Sequence, residues 1–167
     1  MRFLIPPARP RRQDGSVAVE AALIIALVLV PLMAFILLFG RYFWYYTVAQ
    51  KATHDATLYL ASASLADIRS SGAPGLAGKI VEREMGDLDA TTRSTLGWTT
   101  ECWFRFPATA PYLSPFPCST NTMTPILVRT SLSMTVTDPF LSPMTNSLIG
   151  NDGLLIMAQG TMRYVGR

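Results

Sequence analysis

The residues best placed to do chemistry lie at the mouth of an apolar run. In "RRQDGSVAVEAALIIALVLVPLMAFILLFGRYFWYY" (residues 11–46), Glu20 stands five residues after Gly15, just ahead of a stretch from Ala21 to Gly40 that carries no charge. Cleavage of the bond between Gly15 and Ser16 would give Ser16 a free ammonium and make Glu20 the fifth residue of the shortened chain. In an assembly of parallel helices, Glu20 of one copy could neutralise the ammonium of a neighbour. Opposite charges attract strongly in apolar packing, where either alone is costly to bury, so the pair would fix the stagger between copies. A plainer reading makes Glu20 a first-turn carboxylate, favoured by ~0.3–1 kcal/mol through the unpaired N–H groups and the helix dipole. That reading leaves Gly15 unexplained.

The other reactive side chains are few. Cys102 and Cys118 both follow the apolar run, with fifteen residues between them. An even count outside the cytoplasm reads as a disulfide, worth ~3 kcal/mol for a loop of this length on the chain-entropy account. Pro111, Pro115 and Pro117 make the intervening segment a loop that benefits from pinning; two buried free thiols are the alternative. Two cysteines and the lone His54 cannot fill a zinc site, and no Gly-rich phosphate loop or nucleophile elbow occurs. His54 falls on the polar face of a helix. Glu82, Glu84, Asp87 and Asp89 read as a solvated helix and turn. Neither catalysis nor a metal or other cofactor is expected.

The element that must position Glu20 is a helix. Twenty uncharged residues at ~1.5 Å each span ~30 Å, the thickness of a bilayer's hydrocarbon core. Arg2, Arg9, Arg11 and Arg12 precede the run against one acid, Asp14, which places the N-terminus in the cytoplasm and residues 41–167 outside. A cleaved secretory signal would have a shorter apolar core and a small-residue cleavage site after it. This run instead meets Arg41 and the aromatic cluster Tyr42 to Tyr46, which reads as an interfacial belt, so a retained helix is expected. Four of the fourteen basic residues and one of the eleven acids precede Ser16, leaving ten of each in the remainder. The basicity belongs to the leader and gives no reason to expect nucleic acid as a partner.

Along the chain, residues 1–15 read as an unstructured basic leader, 16–40 as a transmembrane helix and 41–69 as its amphipathic continuation, ending near residue 66. Pro31 interrupts the apolar half and is expected to kink it. In the continuation Ala49, Ala52, Ala56 and Ala63 form a small-residue stripe, suited to close packing against the protein's own domain or against another helix. "SSGAPG" (70–75) reads as a breaker. "LAGKIVEREMGDL" (76–88) reads as a short helix with Leu76, Ile80 and Met85 inward. Period-two alternation follows at Trp98 to Phe106, Ile126 to Thr137 and Leu154 to Tyr164, the last reached through "GNDG" (150–153). Three such strands imply a small antiparallel sheet in an exterior α+β domain, residues 70–167. The amphipathic helix is the nearest cover for its apolar face.

These residues carry a resemblance. The N-terminal region is similar to that of TadE-like proteins, pseudopilins of the tight-adherence (Tad, Flp-type) pilus system. The family shows a basic leader, a Gly-Ser/Ala-x-x-x-Glu-x-Ala-Leu opening, a helix with a central proline and Phe-Gly-Arg near its end. Gly15, Ser16, Glu20, Ala22, Leu23, Pro31, Phe39, Gly40 and Arg41 match those positions, whereas Ala21 replaces the usual aromatic. The resemblance covers roughly residues 11–66. It implies a pilin-like fold, removal of the leader after Gly15 by a prepilin peptidase, and a minor-pilin role with other pilins and the Tad machinery as partners. It also implies a bacterial inner-membrane location with the C-terminal domain periplasmic. The competing expectation is an unprocessed single-pass membrane protein with an exterior interaction domain.

Overall fold

The computed structural model describes residues 14–105, 113–119, 123–137 and 153–166. Residues 1–13 of the leader, Phe106, Pro111 and the first three residues of "GNDG" lie outside the described residues. The chain divides into two compact units, Met1–Phe39 and Gly40–Arg167. One helix, α1 (Asp14–Ser62), contributes to both.

In the first unit α1 is the described element, and nearly every side chain on it is exposed. Its residues are apolar all round, as suits a helix surrounded by lipid. By length and composition it can cross a membrane, near the N-terminus. The helix continues through Pro31, although proline cannot donate to the carbonyl of Leu27.

The second unit is α+β. After the α1 residues from Gly40 onward come α2 (Leu65–Arg69), α3 (Gly72–Glu84), α4 (Ala90–Ser94) and strands β1 (Gly97–Arg105), β2 (Leu113–Phe116), β3 (Leu127–Val136) and β4 (Leu154–Arg163). The strands form one antiparallel sheet in the order β2-β1-β3-β4. The expected alternation holds on β3: Val128, Thr130, Leu132, Met134 and Val136 are buried on one face. Cys102 and Phe104 of β1 and Ile156 and Ala158 of β4 share that core.

The expected cover is present. Ala49, Ala52 and Ala56 are fully buried and join the core with the inner sheet face, so within this unit the small-residue stripe packs on the protein's own domain. Small side chains bring the helix backbone close to the sheet, and Gly160 of β4 shows how close. A Cβ added there would lie 2.4 Å from Thr57 Oγ1 and 2.7 Å from the Thr53 carbonyl oxygen. The buried threonines are satisfied along the helix: Thr57 Oγ1 donates to the Thr53 carbonyl at 2.6 Å and Thr53 Oγ1 to that of Ala49 at 3.0 Å.

Four local expectations differ from the structure. The sheet has a fourth strand, β2, in the segment between the cysteines that reads as a loop. The helix ends at Ser62, because Ser64 caps a separate short helix by accepting from the Asp67 N–H at 3.2 Å. The break expected at "SSGAPG" falls on Ser70 and Ser71, the latter in the left-handed region, whereas the rest of that stretch opens α3, whose first turn tolerates Pro74. Leu76 is exposed, and the inward face of α3 is Ala73, Ala77, Gly78 and Val81. The ring of Trp98 occupies the space beside Gly78 that a side chain would need.

Candidate functional site

The helix start is the first candidate. Gly15, Ser16 and Glu20 all lie on α1 and are exposed. A Cβ placed on Gly15 would meet no atom within 4 Å, so intramolecular packing does not explain a glycine there. Gly15 and Ser16 stand in the first turn, where backbone N–H groups have no partner within the helix. Glu20 follows about one turn later, presented to the surroundings along with Val17 and Val19.

The second candidate lies where α1 leaves the uncharged run, and sequence reasoning missed it. Arg41 donates through Nη2 to Oδ1 of Asp89 at 3.1 Å and to the hydroxyl of Tyr45 at 3.0 Å. Tyr45 in turn donates to the same Asp89 oxygen at 2.8 Å. The other Asp89 oxygen caps α4 by accepting from the Thr92 N–H at 3.3 Å. Burial pushes the Asp89 carboxyl upward, but the hydrogen bonds from Tyr45 and Thr92 and the charge of Arg41 outweigh it. The net result is a value below the ordinary 3.8. Burial raises the Tyr45 phenol, which is only 3% exposed. Tyr45 therefore does not belong to an interfacial belt; Phe43, Trp44 and Tyr46 remain exposed. Asp89 and Glu84 are likewise not simply solvated acids, since Glu84 accepts from Lys51 at 2.6 Å. The signals were legible in part: Arg41 and Tyr45 are four residues apart, and Asp89 precedes Thr92 at capping distance.

At the far end of this unit the C-terminal segment closes α1. The backbone N–H groups of Val165 and Gly166 donate to the Ala61 carbonyl at 2.9 and 3.0 Å, and the Tyr164 hydroxyl donates to the Ala63 carbonyl at 2.9 Å. These partners satisfy acceptors that a helix end otherwise leaves unpaired. The Cys102–Cys118 disulfide is formed, with Cα atoms 4.8 Å apart, and it ties β1 to the residues just beyond β2. His54 is exposed beside Asp55. Among the described residues no three His, Cys, Asp or Glu side chains converge as a metal site would need.

Comparison with known proteins bears on the first candidate. Residues 15–58 match the family model described as TadE-like protein, the family that the N-terminal region resembles. The matched span begins at Gly15 and takes in Glu20, Pro31, Arg41 and Tyr45. No curated protein matches the chain. No solved structure matches it either.

Proposed function

We propose that this chain, whose residues 15–58 match the TadE-like model, is a minor pilin of a Tad-type pilus, with a structural rather than catalytic role. The observation that carries the reading is a coincidence of boundaries. The family match starts at Gly15, with Glu20 five residues later, and covers the helix that is long and apolar enough to span a bilayer. The leader stays in the cytoplasm, α1 crosses the inner membrane, and the second unit lies in the periplasm. That compartment suits the disulfide.

A prepilin peptidase removes residues 1–15. Glu20 then meets the new Ser16 ammonium of a neighbouring pilin and sets the stagger at which α1 packs into or beneath the filament. The exposed side chains around Glu20 support this role, because α1 offers its whole start to neighbours. Pro31 supplies a bend for that packing. The partners are other pilins or pseudopilins, the Tad assembly machinery, the peptidase and the bilayer, and the assembled pilus serves adhesion.

The test is Glu20→Gln expressed in place of the wild-type chain. Membrane insertion should persist while assembly into pili falls sharply. Normal piliation in that variant would remove Glu20 from assembly.

A further inference from the structure

The sheet's outer face, opposite the core, is graded in polarity. Its charges gather at one end: Glu101 pairs in register with Arg129, Arg163 stands opposite Leu127, and Arg105 ends β1. Arg129 also covers the Trp103 ring at 4.7 Å. Among the described residues the other end carries no charge. There the register aligns Gly97 with Ser133 and Ser133 with Met157, and sets Thr135 beside Leu155. Leu155 and Met157 are 53% and 61% exposed, the large apolar side chains of an otherwise small, hydroxyl-bearing surface.

A series of direct contacts identifies which end this is. Arg41 and Tyr45 hold Asp89, the cap of α4. Helix α4 is five residues long, about 7.5 Å at ~1.5 Å per residue. Just beyond it the Thr95 hydroxyl donates to the Thr135 carbonyl at 3.1 Å and accepts from the Thr135 N–H at 2.9 Å. Thr135 pairs with Leu155. At the opposite end of β4, Val165 and Gly166 bond the Ala61 carbonyl. Strand β4 therefore starts near the Arg41 end of this unit and finishes near the Ser62 end. Arg41 is the first charge after the uncharged run, and the aromatics beside it, Phe43 and Trp44, are exposed. Such rings favour the headgroup layer of a bilayer.

We propose that the end of the outer face led by Leu155 and Met157 rests in the headgroup layer of the membrane that α1 crosses. The proposal depends on the membrane-spanning reading given above. Lipid suits this surface better than a protein does. Two apolar side chains fall far short of the ~800 Å² that each partner gives to a standard protein interface, whereas a bilayer asks for no matching shape. The apolar side chains leave water, the Ser133 and Thr135 hydroxyls can bond headgroups, and Arg129 and Arg163 stay in the aqueous phase. Docked in this way, the domain lies against the membrane until the chain is drawn into a filament.

Quenching of site-specific fluorophores tests the proposal in the full chain, reconstituted in phosphatidylcholine–phosphatidylglycerol vesicles. The native cysteines are bonded to each other, so single substitutions Leu155→Cys, Met157→Cys, Arg163→Cys and Leu27→Cys each give one labelling site. Labels at 155 and 157 should be quenched by brominated lipid and protected from aqueous iodide, with the reverse at 163. If 155 and 157 are as open to iodide as 163 while the label at 27 is quenched by lipid, the docking proposal fails and membrane insertion stands. If the label at 27 escapes lipid quenching, the spanning reading fails and the docking with it. Protection of 155 and 157 from both quenchers would mean a protein contact and would also overturn lipid docking.

Discussion

The hydroxyl of Tyr45 donates to Oδ1 of Asp89 at 2.8 Å, joining the first turns of α1 beyond the uncharged run to the cap of α4. Arg41 binds both residues, so one carboxylate serves a phenol, a guanidinium and a helix N-terminus. Tyr45 and Asp89 are 44 positions apart in the chain, and the contact holds α4 against α1. Tyr45→Phe removes one hydrogen bond and should lower unfolding free energy by about 0.5–1.5 kcal/mol. Asp89→Ala should cost more, because it also removes the cap, worth about 0.5–2 kcal/mol. Denaturant unfolding of the solubilised protein measures both.

The same carboxylate gives a dependence on pH. Asp89 is held below its ordinary value of 3.8, so the folded state favours its ionised form. Its contribution is fully present above the unfolded value and is lost as pH falls below 3.8 and through the lower folded value. Asp89→Asn should flatten the acid limb of stability against pH, leaving the slope near neutrality unchanged. Melting temperatures from neutral pH down to the acid limb would show it, and an unaltered acid limb would deny Asp89 this role.

Gly160 lets β4 approach the α1 backbone at Thr53 and Thr57. Even a methyl group at this position overlaps backbone, which cannot swing aside as a side-chain tip can. Gly160→Ala should destabilise by about 1–3 kcal/mol, the usual range for overpacking. Gly15→Ala should leave stability nearly unchanged, since its Cβ meets no atom within 4 Å. Parallel denaturation curves of the two variants make the comparison.

Cys118→Ser should cost roughly 3 kcal/mol, and reductant should lower the wild-type melting temperature but not that of the variant. The effect should fall on the β1–β2 edge, where the bridge pins a four-residue strand. Hydrogen exchange of β1 and β2 amides, faster in the variant than those of β3 and β4, would locate it.

Local patterns in the sequence were enough for β3 and most of β1, because each strand buries one face. β4 alternates less cleanly because Gly160 serves the approach of α1 rather than adding apolar bulk. The strand β2 gives almost no signal: Leu113–Phe116 contains Pro115, and only its pairing with β1 and the nearby disulfide make it a strand. The inward turn of Tyr45 could not be read from its aromatic neighbours, since its partner Asp89 is remote in sequence. Leu76 misled because α3 begins at Gly72, which turns Ala73, Ala77 and Val81 to the core. The spacing of Gly15 and Glu20 was plain in the sequence, but the role proposed for it needs a neighbour and a peptidase, which no single chain contains.

Processing after Gly15 is tested by the intact mass and N-terminal sequence of the protein purified from cells with an active prepilin peptidase. The expected result is a mature chain that begins at Ser16, lacking residues 1–15, with the Cys102–Cys118 bridge intact. A chain that still carries the leader in those cells would contradict it, leaving a membrane-anchored domain in which Glu20 is only a first-turn carboxylate.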